Sequence, residues 1–329
     1  MASSKAKPNY SRRFFWLAVF IVLLFGGYSV AWFYFAGRLE TAAATAIASL
    51  NRDGAKADCA KPTARGFPFR IGLFCDSVRF DDPQQGVAAS AAAFRSAAQI
   101  YDPFHVVAEL DGPAAVTAPN IGEIGFNWDN LRASVRLAMD FPERVSTEVN
   151  KLAVTAHAAG SAASLFGAGH AEAHMRRNGD DLDLAASFAD AAIDPMLTRG
   201  AQLPPLAGTA DLTIAGGVNL VRSGDGSLRS HSGIIRTLEL SSDPQTGLSV
   251  SGPFSVSNDG LLDADLKVTI HNPRALAEHL ARAFPAKADQ IRSSFGGLAA
   301  LGNNPSLPLN IKSGKATLGF IPLGVIPPL

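Results

Sequence analysis

The chain has 329 residues, 47% hydrophobic and 18% charged, enough for one large domain or two ordinary ones and too apolar for a disordered chain. Its 29 basic and 29 acidic residues cancel, which excludes the electrostatic footprint of a nucleic-acid binder. Thirty glycines and twenty prolines imply numerous turns, and therefore many short strands.

The first element is a run without a charge, Phe14–Phe35. At 1.5 Å per helical residue it measures about 33 Å, against a hydrocarbon core of roughly 30 Å. Lys5, Lys7, Arg12 and Arg13 precede it, and the first acid is Glu40. That bias holds residues 1–13 in the cytoplasm as a short tail. Trp32, Phe33, Tyr34 and Phe35 stand where an aromatic belt meets the other interface. A cleaved signal peptide is the competing reading, but its apolar core is about 7–15 residues. The run therefore predicts an uncleaved single-pass anchor over 14–35. Leu39, Ala43, Ile47 and Leu50 then form one helical stripe, and Gly54 is a plausible stop. Residues 36–54 are expected to be a stalk helix that docks on the body.

Residues 55–329 should then lie outside the cytoplasm, where disulfides persist. The only two cysteines are Cys59 and Cys75. A turn at Gly66, Phe67 and Pro68 would bring them together, with a loop-closure gain of about 3 kcal/mol. Two unpaired buried thiols are the alternative, and a metal site lacks nearby histidine.

From residue 58 the apolar period becomes two. Leu131–Leu137, Leu182–Phe188, Ala210–Ile214 and Leu262–Ile270 each alternate apolar with polar residues, and shorter runs recur near 104–110, 149–155, 171–175, 235–240 and 307–318. Strict alternation means one dry and one wet face. Turn candidates such as RRNGDD, RSGDGS, SSDPQTG and VSNDG separate the runs. In HNPRALAEHLARAFP, Asn272 is an N-cap, Pro273 the first helical residue, and Leu276, Leu280 and Phe284 the apolar stripe. A second helix is expected over 286–301, carrying Ile291, Phe295 and Leu298. The end, LPLNIKSGKATLGFIPLGVIPPL, reads as strand, turn at Ser313–Gly314, and a proline-rich edge strand. This apolar tail needs a cover: its own domain, a partner or a membrane.

The fold class is thus mainly β: a large curved antiparallel sheet or a two-layer sandwich, with a helical pair near 273–301 and one N-terminal transmembrane helix. The anchor, RGFPFRIGLFCDSVRF and the closing SGKATLGFIPLGVIPPL resemble the domain-of-unknown-function family numbered 2125, membrane-anchored envelope proteins of proteobacteria with no assigned activity. The layout is more loosely similar to AsmA-like envelope proteins, which carry an anchor and a long β-sheet with an apolar inner face. That resemblance implies a role in lipid or envelope homeostasis and carries over no catalytic position.

No G-x-S-x-G, H-E-x-x-H or phosphate-cradling loop occurs. His170, Glu172 and His174 would share one face of a strand, a spacing open to a metal but opposite Ala171, Ala173 and Met175 and so expected to be wet. His279 is expected on a helix flank. No cofactor and no catalytic residue is therefore assigned. Phe67, Phe69, Ile71 and Leu73 alternate with Arg70 and Gly72 as a strand with an apolar side, the candidate surface for a hydrophobe. Either a sealed core or a partly open groove for acyl chains accounts for it. Three readings follow: a lipid- or hydrophobe-handling envelope protein, an assembly partner using the C-terminal tail, and a hydrolase or metal enzyme with a dispersed site.

Overall fold

The computed structural model describes residues 10–51, 54–119, 121–158, 161–224 and 227–329. Lys5 and Lys7 of the charged tail, residues 52–53 of the stalk, and Asp225–Gly226 of the RSGDGS turn lie outside the described residues.

The anchor and stalk are one helix, α1 (Tyr10–Leu50), about 60 Å long. Its most apolar window has a mean hydropathy of 2.2, and none of that window is buried. α1 ends at Leu50, before Gly54. Asn51 follows, and its side-chain amide bonds both backbone groups of Ala57. Of the expected stripe, Leu39, Ala43 and Ile47 are half-buried and Leu50 is exposed; Ala36 and Trp32, one and two turns before it, are buried.

Among the described residues that follow, twenty strands form one open antiparallel sheet. Its first ten segments are β1 (Lys56–Cys59), β2 (Thr63–Arg65), β3 (Arg70–Cys75), β4 (Val78–Asp82), β5 (Val87–Ala91), β6 (Phe94–Gln99), β7 (Asp102–Leu110), β8 (Ala114–Ala118), β9 (Gly122–Asn127) and β10 (Asn130–Arg136). They act in pairs, β1/β2 through β9/β10, as long strands each interrupted near the middle. β3 pairs with β2 and β6 while β4 pairs with β1 and β5, and the pattern repeats to β11. The interruptions line up across neighbouring strands as a crease. It continues into β11 (Arg144–Ala158) at Lys151, and into β13 (Asp181–Ile193) at Asp190, both at positive φ.

Then come β12 (Ser161–Asn178), β14 (Leu206–Ile214), β15 (Ser232–Asp243), β16 (Thr246–Val256), β17 (Leu262–His271), β18 (Ser306–Lys312), β19 (Lys315–Leu318) and β20 (Ile321–Val325). Each strand from β11 onward pairs with its successor in the chain, so the topology is a meander. The β18–β19 turn falls at Ser313–Gly314, both at positive φ. β20, with Pro322 inside it, closes the sheet as an edge. Pro lacks an N–H, so an edge is where it is tolerated.

Three further helices lie off the sheet. α2 (Gly217–Ser223) follows β14 and buries Val218 and Leu220; it is too short to leave a periodic signal. α3 (Pro273–Ala283) is capped as expected, the Asn272 side chain accepting from the Ala275 N–H with Pro273 at its start. Its buried stripe is Pro273, Ala277 and Ala281, while Phe284 is exposed. The small face wins because alanines let the helix axis approach the end of the sheet closely. α4 (Ala288–Ala299) packs on α3, and Arg292 of α4 holds Glu278 of α3.

Two clusters of buried apolar residues stand out among the described residues. One joins Phe141, Leu182 and Val218, with Met175 against it. The other joins Ala264, Ile311 and Ala316, with Phe254 and Leu266 against it.

Candidate functional site: the open apolar face

Residues directly opposite in an antiparallel ladder share a face, so the register assigns the faces. One row runs Ile71, Ala98, Val106, Val135 and Val145 to Met175; it continues through Leu184 to Leu212. A second runs Ala173, Ala186, Ala210, Leu238, Val250 and Val268. The intervening rows are polar: Arg95, Glu109, Arg132, Glu148 and Glu172, then Ser187, Thr209, Glu239, Ser249 and Thr269. The two faces of one sheet are therefore chemically opposite over most of its width.

The polar face is self-satisfied. Asp183, nearly buried, accepts from Arg176 and Thr213, each at 2.7 Å, and lies 3.6 Å from Arg236. Arg176 first, then Thr213, holds its carboxyl below the ordinary range. Arg236 in turn holds Asp211. Glu172 is also held low, chiefly by the Ser187 hydroxyl and then by His174. His170 bonds Asn150 at 2.8 Å, and His174 lies 3.3 Å from Glu172. His170, Glu172 and His174 thus do share the wet face, tied into a side-chain network. Among the described residues no group of three or more His, Cys, Asp and Glu is disposed to hold a metal. His279 bonds Ser242 at 2.7 Å and braces α3 on the β15–β16 hairpin.

The apolar face has no such closure. Among the described residues, the helices meet the sheet chiefly where α1 lies on β1–β3, α2 on β13 and α3 on β16. Leu238 and Leu240 are 46% and 40% exposed in mid-sheet. Near the crease Leu110 joins Val78, Phe80, Ala91 and Val116 around a shallow, almost wholly apolar hollow of about 320 Å³.

Of the hydrophobe-facing candidates, Ile71 and Leu73 lie on β3 and half-buried, Ile71 in the apolar row just traced. Phe67 and Phe69 are corrected in position. The strand begins at Arg70, and both sit in the turn before it, exposed. Gly66, at φ 119°, sets up that turn, and the Arg70 N–H closes it on the Gly66 carbonyl at 2.9 Å. Cys59 and Cys75 are joined as a disulfide, tying β1 to β3. What the sequence did not supply is the breadth of the dry face. It emerges only when the alternations of separate strands are placed in register.

The fold and this face define an open amphipathic β-sheet carried on a helix long and apolar enough to cross a membrane. The family follows from comparison. A model for a domain of unknown function (DUF2125), described as an uncharacterized protein conserved in bacteria, matches residues 32–327, and the chain belongs to that family. No curated protein matches it.

Proposed function

We propose that this protein is a single-pass component of the bacterial inner membrane that holds a lipid chain or similar hydrophobe on its apolar sheet face. In this reading Phe14–Phe35 spans the bilayer, the basic N-terminal tail stays in the cytoplasm and the β-rich body lies in the periplasm. The Cys59–Cys75 bridge supports an oxidising compartment, and the Lys/Arg bias supports the orientation. The layout resembles that of AsmA-like proteins, an analogy that adds to the reading without carrying it.

The observation that carries it is the apolar face, continuous in register from β3 to β17 and exposed in mid-sheet at Leu238 and Leu240. Soluble monomers rarely leave so large a continuous patch in water. Each acyl methylene covered there gains about 0.8 kcal/mol, so a chain of ordinary length binds without any polar anchor. We read the apolar face as a binding surface. Native mass spectrometry of the detergent-extracted protein tests this. A copurified lipid mass supports it; a clean apo mass contradicts it.

A second reading is favoured by β20. Ile321, Leu323 and Val325 are exposed on the sheet's last strand, and Phe320 at the β19–β20 turn is fully so. An edge of this kind is a template for another strand. An assembly partner in the envelope would pair there, and cross-linking in cells would recover one fixed protein that is lost on truncation after Phe320.

A further inference from the structure

The β2–β3 turn is fastened to α1 inside the apolar run. Phe67 stacks on Phe33 at 5.7 Å between ring centroids and meets Trp32 edge-on at 5.5 Å. The Tyr28 hydroxyl donates to the Pro68 carbonyl, and the Trp32 indole donates to that of Arg70 at 2.9 Å. Wherever Phe14–Phe35 sits, this corner of the sheet goes with it. Residues 28–35 occupy about 10 Å of helix axis. If the run fills a hydrocarbon layer of roughly 30 Å, the corner lies at or just within its outer boundary.

The neighbouring turns at that end of the sheet carry the same chemistry. Phe69 is 71% exposed, Tyr101 79% and Phe104 63%, with Ile100 and Leu137 also exposed. Backbone bonds tie them into one lip: the Ile100 N–H donates to Phe69 at 3.1 Å, and the Leu137 N–H to Phe104 at 2.8 Å. Just inside the lip stand Arg70, Arg136 and Arg144. Arg136 pairs with Asp102 at 3.4 Å, while Arg70 and Arg144 form no ion pair among the described residues. Exposed aromatics below a row of arginines match the layered chemistry of a lipid interface, with acyl boundary first and phosphate headgroups next.

We infer that this lip of the sheet is a second membrane contact: Phe67, Phe69, Ile100, Tyr101 and Phe104 dip into the outer leaflet beside α1, and the arginines meet anionic headgroups. The inference rests on the anchor reading above. It places the apolar face with its lower end open to the bilayer, so that an acyl chain moves from leaflet to sheet without crossing water.

The test uses the full-length chain in nanodiscs of phosphatidylethanolamine and phosphatidylglycerol. An environment-sensitive fluorophore is attached at Tyr101→Cys, at Phe20→Cys within the span, or at Gln84→Cys on the opposite end of the sheet. The native cysteines are bonded to each other, so the introduced thiol is the one labelled. Quenching by nitroxide carried on lipid near the headgroup or deep in the chain reports depth. The expected result is deep quenching at position 20, shallow quenching with a blue-shifted emission at 101, and neither at 84. Position 20 quenched with 101 unquenched overturns the lip and leaves the anchor standing; a blue shift at 101 without lipid quenching does the same and indicates a protein cover. No quenching at 20 overturns both.

Discussion

The indole N–H of Trp32 donates to the backbone carbonyl of Arg70 at 2.9 Å, and the Trp32 ring is only 5% exposed. A residue of the apolar run is thereby part of the β-domain's own packing. Trp32→Phe keeps an aromatic ring and removes the indole donor to the carbonyl, a loss of about 1 kcal/mol. Trp32→Ala also opens a cavity and costs about 3–5 kcal/mol. Hydrogen exchange over residues 66–70 should rise modestly in the first variant and strongly in the second. Equal exchange in both would mean that α1 does not brace the corner.

The disulfide predicts a local loss. Removing it as Cys59→Ala with Cys75→Ala releases a loop of sequence separation 16 and costs about 3 kcal/mol in the chain-entropy model. Because the bridge ties β1 to β3, exchange protection should fall in β1–β4 and stay unchanged in β12–β17. Urea melts of the two forms measure the total.

Gly72 predicts a sharper one. A Cβ there would lie 1.7 Å from the Ser96 carbonyl oxygen of the paired strand. That backbone oxygen cannot swing aside, so Gly72→Ala forces β3 from β6 and destabilises by at least about 1–3 kcal/mol. An unchanged thermal midpoint would show that the two strands are not this close.

Asp183 predicts acid sensitivity. Arg176 and then Thr213 depress its folded pKa, so its contribution is complete above the unfolded value of about 3.9. That contribution is lost as pH falls through the folded value. Asp183→Asn should lower stability at neutral pH by about 1–3 kcal/mol and flatten the decline below about pH 4. A parallel decline in both proteins would assign the acid sensitivity elsewhere.

Alternation made the long strands legible. Leu182–Phe188 and Leu262–Ile270 each carry enough polarity contrast to mark both strand and face. Residues 87–99 do not: Ala and Ser fill both faces of β5 and β6, and the crease shifts the pattern midway. β16 was masked by Gly252–Pro253 in its middle, where Gly252 takes φ 140°. The stalk stripe showed because a docked helix must repeat its contact every turn. α3 misled because size was read as burial, whereas close approach selected Ala277 and Ala281. Phe67 and Phe69 continued a period-two pattern into a turn, where alternation no longer reports a face.

The central claim is that the apolar face holds lipid, and consecutive residues of β15 test it. Leu238 and Leu240 point to that face, and Glu239 between them to the other. A photoactivatable phenylalanine placed at each position in the full-length protein, in its own membrane, reads out the occupant by mass. Lipid adducts at 238 and 240, and none at 239, are the predicted result. Adducts on both faces alike, or a single protein adduct at 238 and 240, would contradict it.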